Sequence, residues 1–80
     1  MRRDYYRPNA RYPMRKDHFH ADTRRLPNGR VRVTMWESSG DFTGGPLDKT
    51  KVDFDSILEV LDMFSEVDEG MRAEGWERWQ

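Results

Sequence analysis

Asp55, Glu59, Asp62, Glu66 and Glu69 recur at spacings of four, three, four and three residues. On a helix that spacing gathers all five carboxylates into an arc of roughly 80° and along about 21 Å. No Lys or Arg stands between Val52 and Met71, so nothing on the same segment neutralises them. Like charges at i,i+3 or i,i+4 each cost about 0.2–0.5 kcal/mol, so four successive neighbours forgo roughly 1–2 kcal/mol. Against a total near 5 kcal/mol for a small chain, that is a sizeable fraction. A solvated acidic face is the plain reading. The alternatives are cations from the chain's own basic half, or a basic partner. Carboxylates about 5–6 Å apart on a rigid rod resemble the phosphates of a nucleic-acid strand. The expectation is that these five residues occupy the basic nucleic-acid-binding groove of a partner protein and block it.

A second set is rich in Arg and Tyr. Arg2, Arg3, Arg7, Arg11 and Arg15 interleave with Tyr5, Tyr6 and Tyr12, and Arg24, Arg25, Arg30 and Arg32 follow. Arg neutralises phosphate and Tyr stacks on bases, so the alternative function is direct DNA or RNA binding through this arm and the segment after it. The same residues would equally suit packing on the chain's own acidic helix or on a protein partner. No helix-turn-helix, RNP-type or zinc-finger motif accompanies them.

His18, His20 and Asp22 alternate, so they project from one strand face with donor types that suit a metal. Their expected cross-strand neighbours, Trp36, Thr34 and Arg32, bring a cation to that face. The expectation is therefore an ordinary polar sheet face, with no metal and no cofactor. Ser38, Ser39 and Ser56 have no catalytic motif around them, and Gly40 to Gly45 lacks the following Lys-Ser/Thr of a P-loop. The chain has no Cys, which removes thiolate nucleophiles, disulfides and sulfur-ligated zinc together. A non-enzymatic protein is expected.

The elements that position these groups must fit in 80 residues, enough for one domain. A chain of this size buries only about 60–65% of its unfolded surface. The net charge of −1 hides a division: residues 1–33 carry ten Arg/Lys against three Asp/Glu, and residues 34–80 carry four against twelve. Such asymmetry points to electrostatic recognition. No apolar run has the character of a signal peptide or a transmembrane helix, so a cytoplasmic protein with no membrane partner is expected.

Residues 1–17 read as a basic arm, extended or irregular because Pro8 and Pro13 oppose a long helix, with room for a short edge strand. Residues 18–37 read as a β-hairpin around Leu26-Pro27-Asn28-Gly29-Arg30. A three-residue loop with Gly29 left-handed pairs Val31, Val33 and Met35 with Arg25, Thr23 and Ala21. That register collects the apolar groups on one face, whereas a two-residue loop scatters them. It turns Trp36 to the opposite face, half exposed.

Residues 38–52 read as a loop, with Phe42 and Leu47 as anchors and Asp41–Thr43 as a possible third strand. Residues 53–70 read as an amphipathic helix from about Phe54 to Glu69, with Asp53 as N-cap, a Val52/Ile57 staple and Gly70 as its stop. Residues 71–80 form a tail in which one further helical turn puts Trp76 and Trp79 on a shared side. The fold class is α+β: an antiparallel hairpin or three-stranded sheet packed against one helix. The expected core is Phe19, Ala21, Val31, Val33, Met35, Phe54, Ile57, Leu61, Phe64 and Val67. A lone hairpin and helix is marginal, so the arm or loop must add a strand, or two copies must pair. Monomer and homodimer are both compatible.

In length, lack of catalytic motif and concentrated charge, the chain resembles small phage-encoded anti-CRISPR and other anti-defence proteins. The resemblance is one of overall character and carries over no individual residue. It implies an inhibitor acting in a host cytoplasm on a CRISPR effector complex, by groove blocking or by allostery. A phage structural or assembly protein is the remaining alternative.

Overall fold

A computed structural model describes residues 1–39 and 49–79. Five strands and one helix follow in the order β1 (Arg2–Pro8), β2 (Lys16–Arg25), β3 (Val31–Ser38), β4 (Lys49–Phe54), α1 (Ile57–Ala73) and β5 (Glu77–Arg78). They form one antiparallel sheet in the order β4-β3-β2-β1-β5, with α1 packed on one face. The class is α+β, as expected, and the arm supplies the strand that the hairpin needed. The expected strand at Asp41–Thr43, the anchors Phe42 and Leu47 and the segment Gly40–Gly45 lie outside the described residues.

The β2–β3 turn has three residues, as the pattern demands. Leu26 and Arg30 close it through a Leu26 N–H to Arg30 carbonyl bond of 2.8 Å, and Gly29 has φ +85°. Arg25 then faces Val31, Thr23 faces Val33 and Ala21 faces Met35. One expectation fails on this register. His18 lies opposite Ser38, His20 opposite Trp36 and Asp22 opposite Thr34, two residues away from the neighbours anticipated.

The arm is more than an edge. β1 lies between β2 and β5, so its alternate residues have opposite fates. Arg3, Tyr5 and Arg7 pair with Ala21, Phe19 and Asp17 on the helix side, whereas Arg2, Asp4 and Tyr6 pair with Asp22, His20 and His18 on the other.

Both ends of the helix differ from expectation. Phe54 closes β4, and Asp53 is a strand residue and not the cap. Ser56 is the N-cap, its hydroxyl accepting from the Glu59 N–H at 3.4 Å while the Glu59 carboxylate accepts from the Asp55 N–H at 3.0 Å. Ser56 thus satisfies one orphan donor of the first turn while Glu59 reaches back past the cap to Asp55, a variant of the Ser-x-x-Glu capping box that starts the helix three residues later. Gly70 lies inside the helix. The stop is Gly75, at φ +86°, where the Trp76 N–H reaches the Met71 carbonyl and the Gly75 N–H reaches that of Arg72. This is the paired 6→1 and 5→2 closure of a helix C-terminus. It turns the chain back as a strand, so Trp76 and Trp79 do not share a helical side.

The core is Ala21, Val31, Val33, Val60 and Phe64, with Phe19, Met35, Phe54 and Met63 packed around it. Tyr5 and Trp76 are also buried. Ile57 and Leu61, expected inside, remain 37% and 42% exposed. The helix is rolled so that Val60 and Phe64 meet the sheet, and Ile57 and Leu61 fall on its flank. The roll also brings Asp68 over β1, where its carboxylate accepts from the Tyr5 hydroxyl at 3.0 Å. Arg72 holds the same carboxylate at 3.0 Å.

Burial of Tyr5 and its bond to the Asp68 carboxylate push the phenol up to about 12, from 10.0. Below pH 10 the phenol is neutral in both folded and unfolded chains, so its contribution is whole. Between pH 10 and 12 the unfolded chain ionises first and the contribution is lost. Tyr5→Phe is expected to lower stability by about 1–2 kcal/mol at neutral pH and to flatten the alkaline fall, read by denaturant titration across pH. An unchanged alkaline branch would remove Tyr5 from this role.

Candidate functional site: the open face of the sheet

The register that buries Val31 and Val33 under the helix sends the alternate residues to the other face. There β1 contributes Arg2, Asp4 and Tyr6, and β2 contributes Lys16, His18, His20, Asp22 and Arg24. β3 contributes Arg32, Thr34 and Trp36, and β4 contributes Lys49, Lys51 and Asp53. Glu77 of β5 joins them opposite Tyr6. Trp79, just beyond β5, is tied to β1 by its N–H to the Asp4 carbonyl at 3.0 Å.

Five rings on this face form a continuous row. Trp36 stacks on His20 with centroids 5.1 Å apart, and His20 stacks on His18 at 5.8 Å with planes 6° from parallel. His18 meets Trp79 at 5.9 Å, and Trp79 meets Tyr6 edge-on at 6.3 Å. A lysine caps each end: the Lys49 ammonium lies 4.9 Å from the Trp36 ring and that of Lys16 lies 4.6 Å from the Tyr6 ring. Trp79 is 62% exposed, the other four rings are partly buried, and the His20 side chain keeps 15% of its surface exposed. Cation–π contacts of this kind are worth about 0.5–1 kcal/mol when exposed, so either lysine can leave its ring for a stronger anion.

One carboxylate anchors the row from below. Asp4 is 1% exposed, and it takes bonds from the Arg2 Nε at 2.9 Å and from His20 Nδ1. Burial pushes this carboxyl up, but the bonds from His20 and Arg2 outweigh it and hold the group below its usual value. Asp53, likewise, is lowered by its hydrogen bond from Arg32, whose Nε lies 2.8 Å away. The face carries six Arg/Lys (Arg2, Lys16, Arg24, Arg32, Lys49, Lys51) against four acids (Asp4, Asp22, Asp53, Glu77). Asp4 pairs with Arg2 and Asp53 with Arg32, which leaves Lys16, Arg24, Lys49 and Lys51 against Asp22 and Glu77, so the outward balance is positive.

The Arg/Tyr set read from the sequence is divided among several places. Tyr5 is buried and cannot stack on a ligand. Arg3 lies 5.3 Å over Phe64 and Arg7 lies 4.3 Å over Trp76, both on the helix side. Arg30 pairs with Asp55 at 3.2 Å, and Arg11 and Tyr12 sit in the β1–β2 loop. Arg24 is exposed on the open face and Arg25 is exposed on the helix side. Only Arg2, Tyr6, Arg24 and Arg32 therefore reach the open face. His18, His20, Trp36, Trp79, Lys16 and Lys49 were not anticipated as its binding groups.

The acidic ridge is shorter than anticipated. Asp55 precedes the helix and is held by Arg30. Glu59, Asp62, Glu66 and Glu69 remain on α1, exposed, over roughly 15 Å. Among the described residues no ion pair reaches Asp62, Glu66 or Glu69. The basic arm does not cover them, because it is committed to the sheet.

Ser56 caps the helix, and Ser38 and Ser39 line a shallow cleft with Arg7, Asp17, Glu37 and Trp76 at one end of the sheet. Neither histidine lines this cleft. Among the described residues no group of three or more His, Asp or Glu side chains could hold a metal ion, and no helix is long and apolar enough to cross a membrane.

Asp4→Asn removes the charge that orients Arg2 and His20. It is expected to cost at least about 2 kcal/mol at neutral pH, since bonds to charged groups are worth about 1.5–3 kcal/mol. Because the folded carboxyl is lowered, the wild-type advantage is complete above the unfolded value near 4 and lost as pH falls through the folded one. Thermal unfolding of both proteins from pH 7 to 2 measures this, and parallel curves would exclude it.

No protein-family model, curated protein or solved structure matches the chain.

Proposed function

We propose that the protein binds single-stranded nucleic acid on the open face of its sheet. The observation that carries this reading is the row Trp36–His20–His18–Trp79–Tyr6 with Lys49 and Lys16 at its ends. Trp79, 62% exposed at the end of the sheet, is the ring most open to an unstacked base, and base–aromatic stacking is worth about 1–3 kcal/mol per base. The lysines, with Arg24 and Lys51 beside them, supply the cations that a phosphate backbone needs. The rings run from β3 across β2 and β1 to the end of β5, three strand spacings or about 14 Å, which suits two or three splayed nucleotides better than a closed duplex, whose bases are turned inward.

Fluorescence anisotropy with single-stranded RNA, single-stranded DNA and duplex probes over a salt series tests this. Single strands should bind, and affinity should fall with salt. Trp79→Ala should weaken binding about 5- to 50-fold. Lys16→Gln and Lys49→Gln should each reduce the salt slope by about 0.7. No binding at low salt, or full binding by a folded Trp36→Ala/Trp79→Ala protein, would sink the reading.

The helix supports a second reading, the inhibitor of a basic nucleic-acid-handling protein. Beside the unpaired Asp62, Glu66 and Glu69 stand Leu58 and Leu61, 69% and 42% exposed. Charge together with apolar area suits a basic, partly apolar protein surface. Here the protein itself would not shift DNA or RNA, and reversing Asp62, Glu66 and Glu69 to Lys would abolish capture of the partner. Retained capture by that variant would remove the helix face from the interface.

A further inference from the structure

The β1–β2 connection is a built loop. Asn9 is 5% exposed, and its side-chain carbonyl accepts from the N–H groups of Arg11 at 2.9 Å and Tyr12 at 2.8 Å. Its amide donates to the Asp17 carboxylate at 2.8 Å. The Asn9 N–H bonds to the Arg15 carbonyl at 2.9 Å, and the Arg15 N–H to that of Tyr12 at 2.8 Å. One buried amide therefore fixes the chain on both sides of the apex.

That apex is Tyr12-Pro13-Met14. Met14 is 98% exposed, an apolar side chain presented to water on a fixed support. The Arg11 and Arg15 guanidinium carbons lie 5.5 and 5.4 Å from the Tyr12 ring centroid. From Asn9 to Lys16 the chain holds Arg11, Arg15 and Lys16 and no acid. Lys16 opens β2 and covers Tyr6, so the basic loop runs directly into the aromatic row. Resting this on the reading of that row as a single-strand platform, we infer that the loop is a wedge. It seats where a single strand on the sheet becomes duplex, with Met14 against the terminal base pair and Arg11 and Arg15 on the flanking phosphates.

The chemistry favours that occupant. An apolar wedge inserted at a base step is a recurring means of unstacking it, and the required counterpart is a row of phosphates around the insertion point. Phosphates complement a loop whose three cations, Arg11, Arg15 and Lys16, outnumber its one adjoining acid, Asp17, itself held by Asn9 and Arg7. An anionic lipid surface shares part of this chemistry, and the test separates the two.

Two probes are compared by anisotropy: a single strand of about 12 nucleotides, and the same strand joined to a stable hairpin stem. The wild type should bind the junction at least about 10-fold more tightly. Met14→Ser should lose that preference while its affinity for the free strand changes less than about twofold. Because Met14 buries almost nothing, this variant does not threaten the fold. 2-Aminopurine in the terminal pair should brighten with the wild type and stay dim with Met14→Ser.

Equal affinity for both probes, with strand binding intact, overturns the wedge and leaves the platform standing. Loss of strand binding by the wild type overturns both. Met14-dependent binding to phosphatidylserine vesicles without a junction preference replaces the nucleic-acid junction with a lipid surface and overturns the wedge.

Discussion

Between Leu26 and Arg30 the chain reverses through three residues, and Gly29 takes a backbone conformation with φ +85° that side-chain-bearing residues rarely adopt. Because side chains alternate along a strand, one residue more or less in this turn would exchange the two faces of β3 relative to β2. With three residues, Val31 and Val33 point toward Val60 and Phe64, and Trp36 meets His20 on the far side. The hydrophobic core and the aromatic row are thus two consequences of one register. Apolar burial fixes it, since the slipped register would expose two valines and bury the Arg32 charge between them at several kcal/mol.

The remaining strands extend the consequence. β1 enters the sheet with Tyr5 inward and Asp4 and Tyr6 outward, so the same pairing that buries a phenol under the helix places a carboxylate beneath His20. Tyr5 then reaches Asp68 across the sheet–helix boundary, which fixes where the helix lies and how it is rolled. That roll leaves Leu58 and Leu61 in water and puts the acidic side chains outward. The Gly75 turn closes the circuit by returning the chain beside β1, with Trp76 under Arg7 and Trp79 over His18.

What was legible from sequence was whatever local pattern encodes. The Pro27-Asn28-Gly29 turn, the apolar alternation after it and the helical stripe each state their own geometry within a few residues, and each was readable. Trp36 could be turned away from the core for the same reason. β4 and β5 have no comparable local signature. Lys49–Phe54 is polar and becomes a strand only because β3 has an edge to pair with, and Glu77–Arg78 is two residues placed by the turn before them. Trp79 and Lys49 were invisible as site residues for that reason. The Ser56–Glu59 capping pair was visible in principle, as Ser-x-x-Glu before an apolar run, and the competing Asp53 concealed it. The alternation Arg2, Asp4, Tyr6 against Arg3, Tyr5, Arg7 was also present, but compositional bias toward Arg and Tyr masked it.

The segregation of charge has a physical consequence once the faces are known. The chain's extents are 43 × 28 × 15 Å, so the outward carboxylates of α1 and the lysines of the open face lie on opposite sides of a thin plate. At physiological ionic strength the Debye length is about 8 Å, shorter than the plate is thick. The acidic helix therefore subtracts little from the attraction that the basic face exerts on a polyanion in contact with it. At low ionic strength, where the Debye length reaches about 30 Å, the opposed charges act as a dipole that turns the sheet toward an approaching polyanion and the helix away. A uniformly basic plate would bind a polyanion on either side. This arrangement would confine any polyanion contact to one side, the side that carries the aromatic row. The uncompensated repulsion along α1, roughly 1 kcal/mol among its carboxylates, is the cost of that one-sidedness.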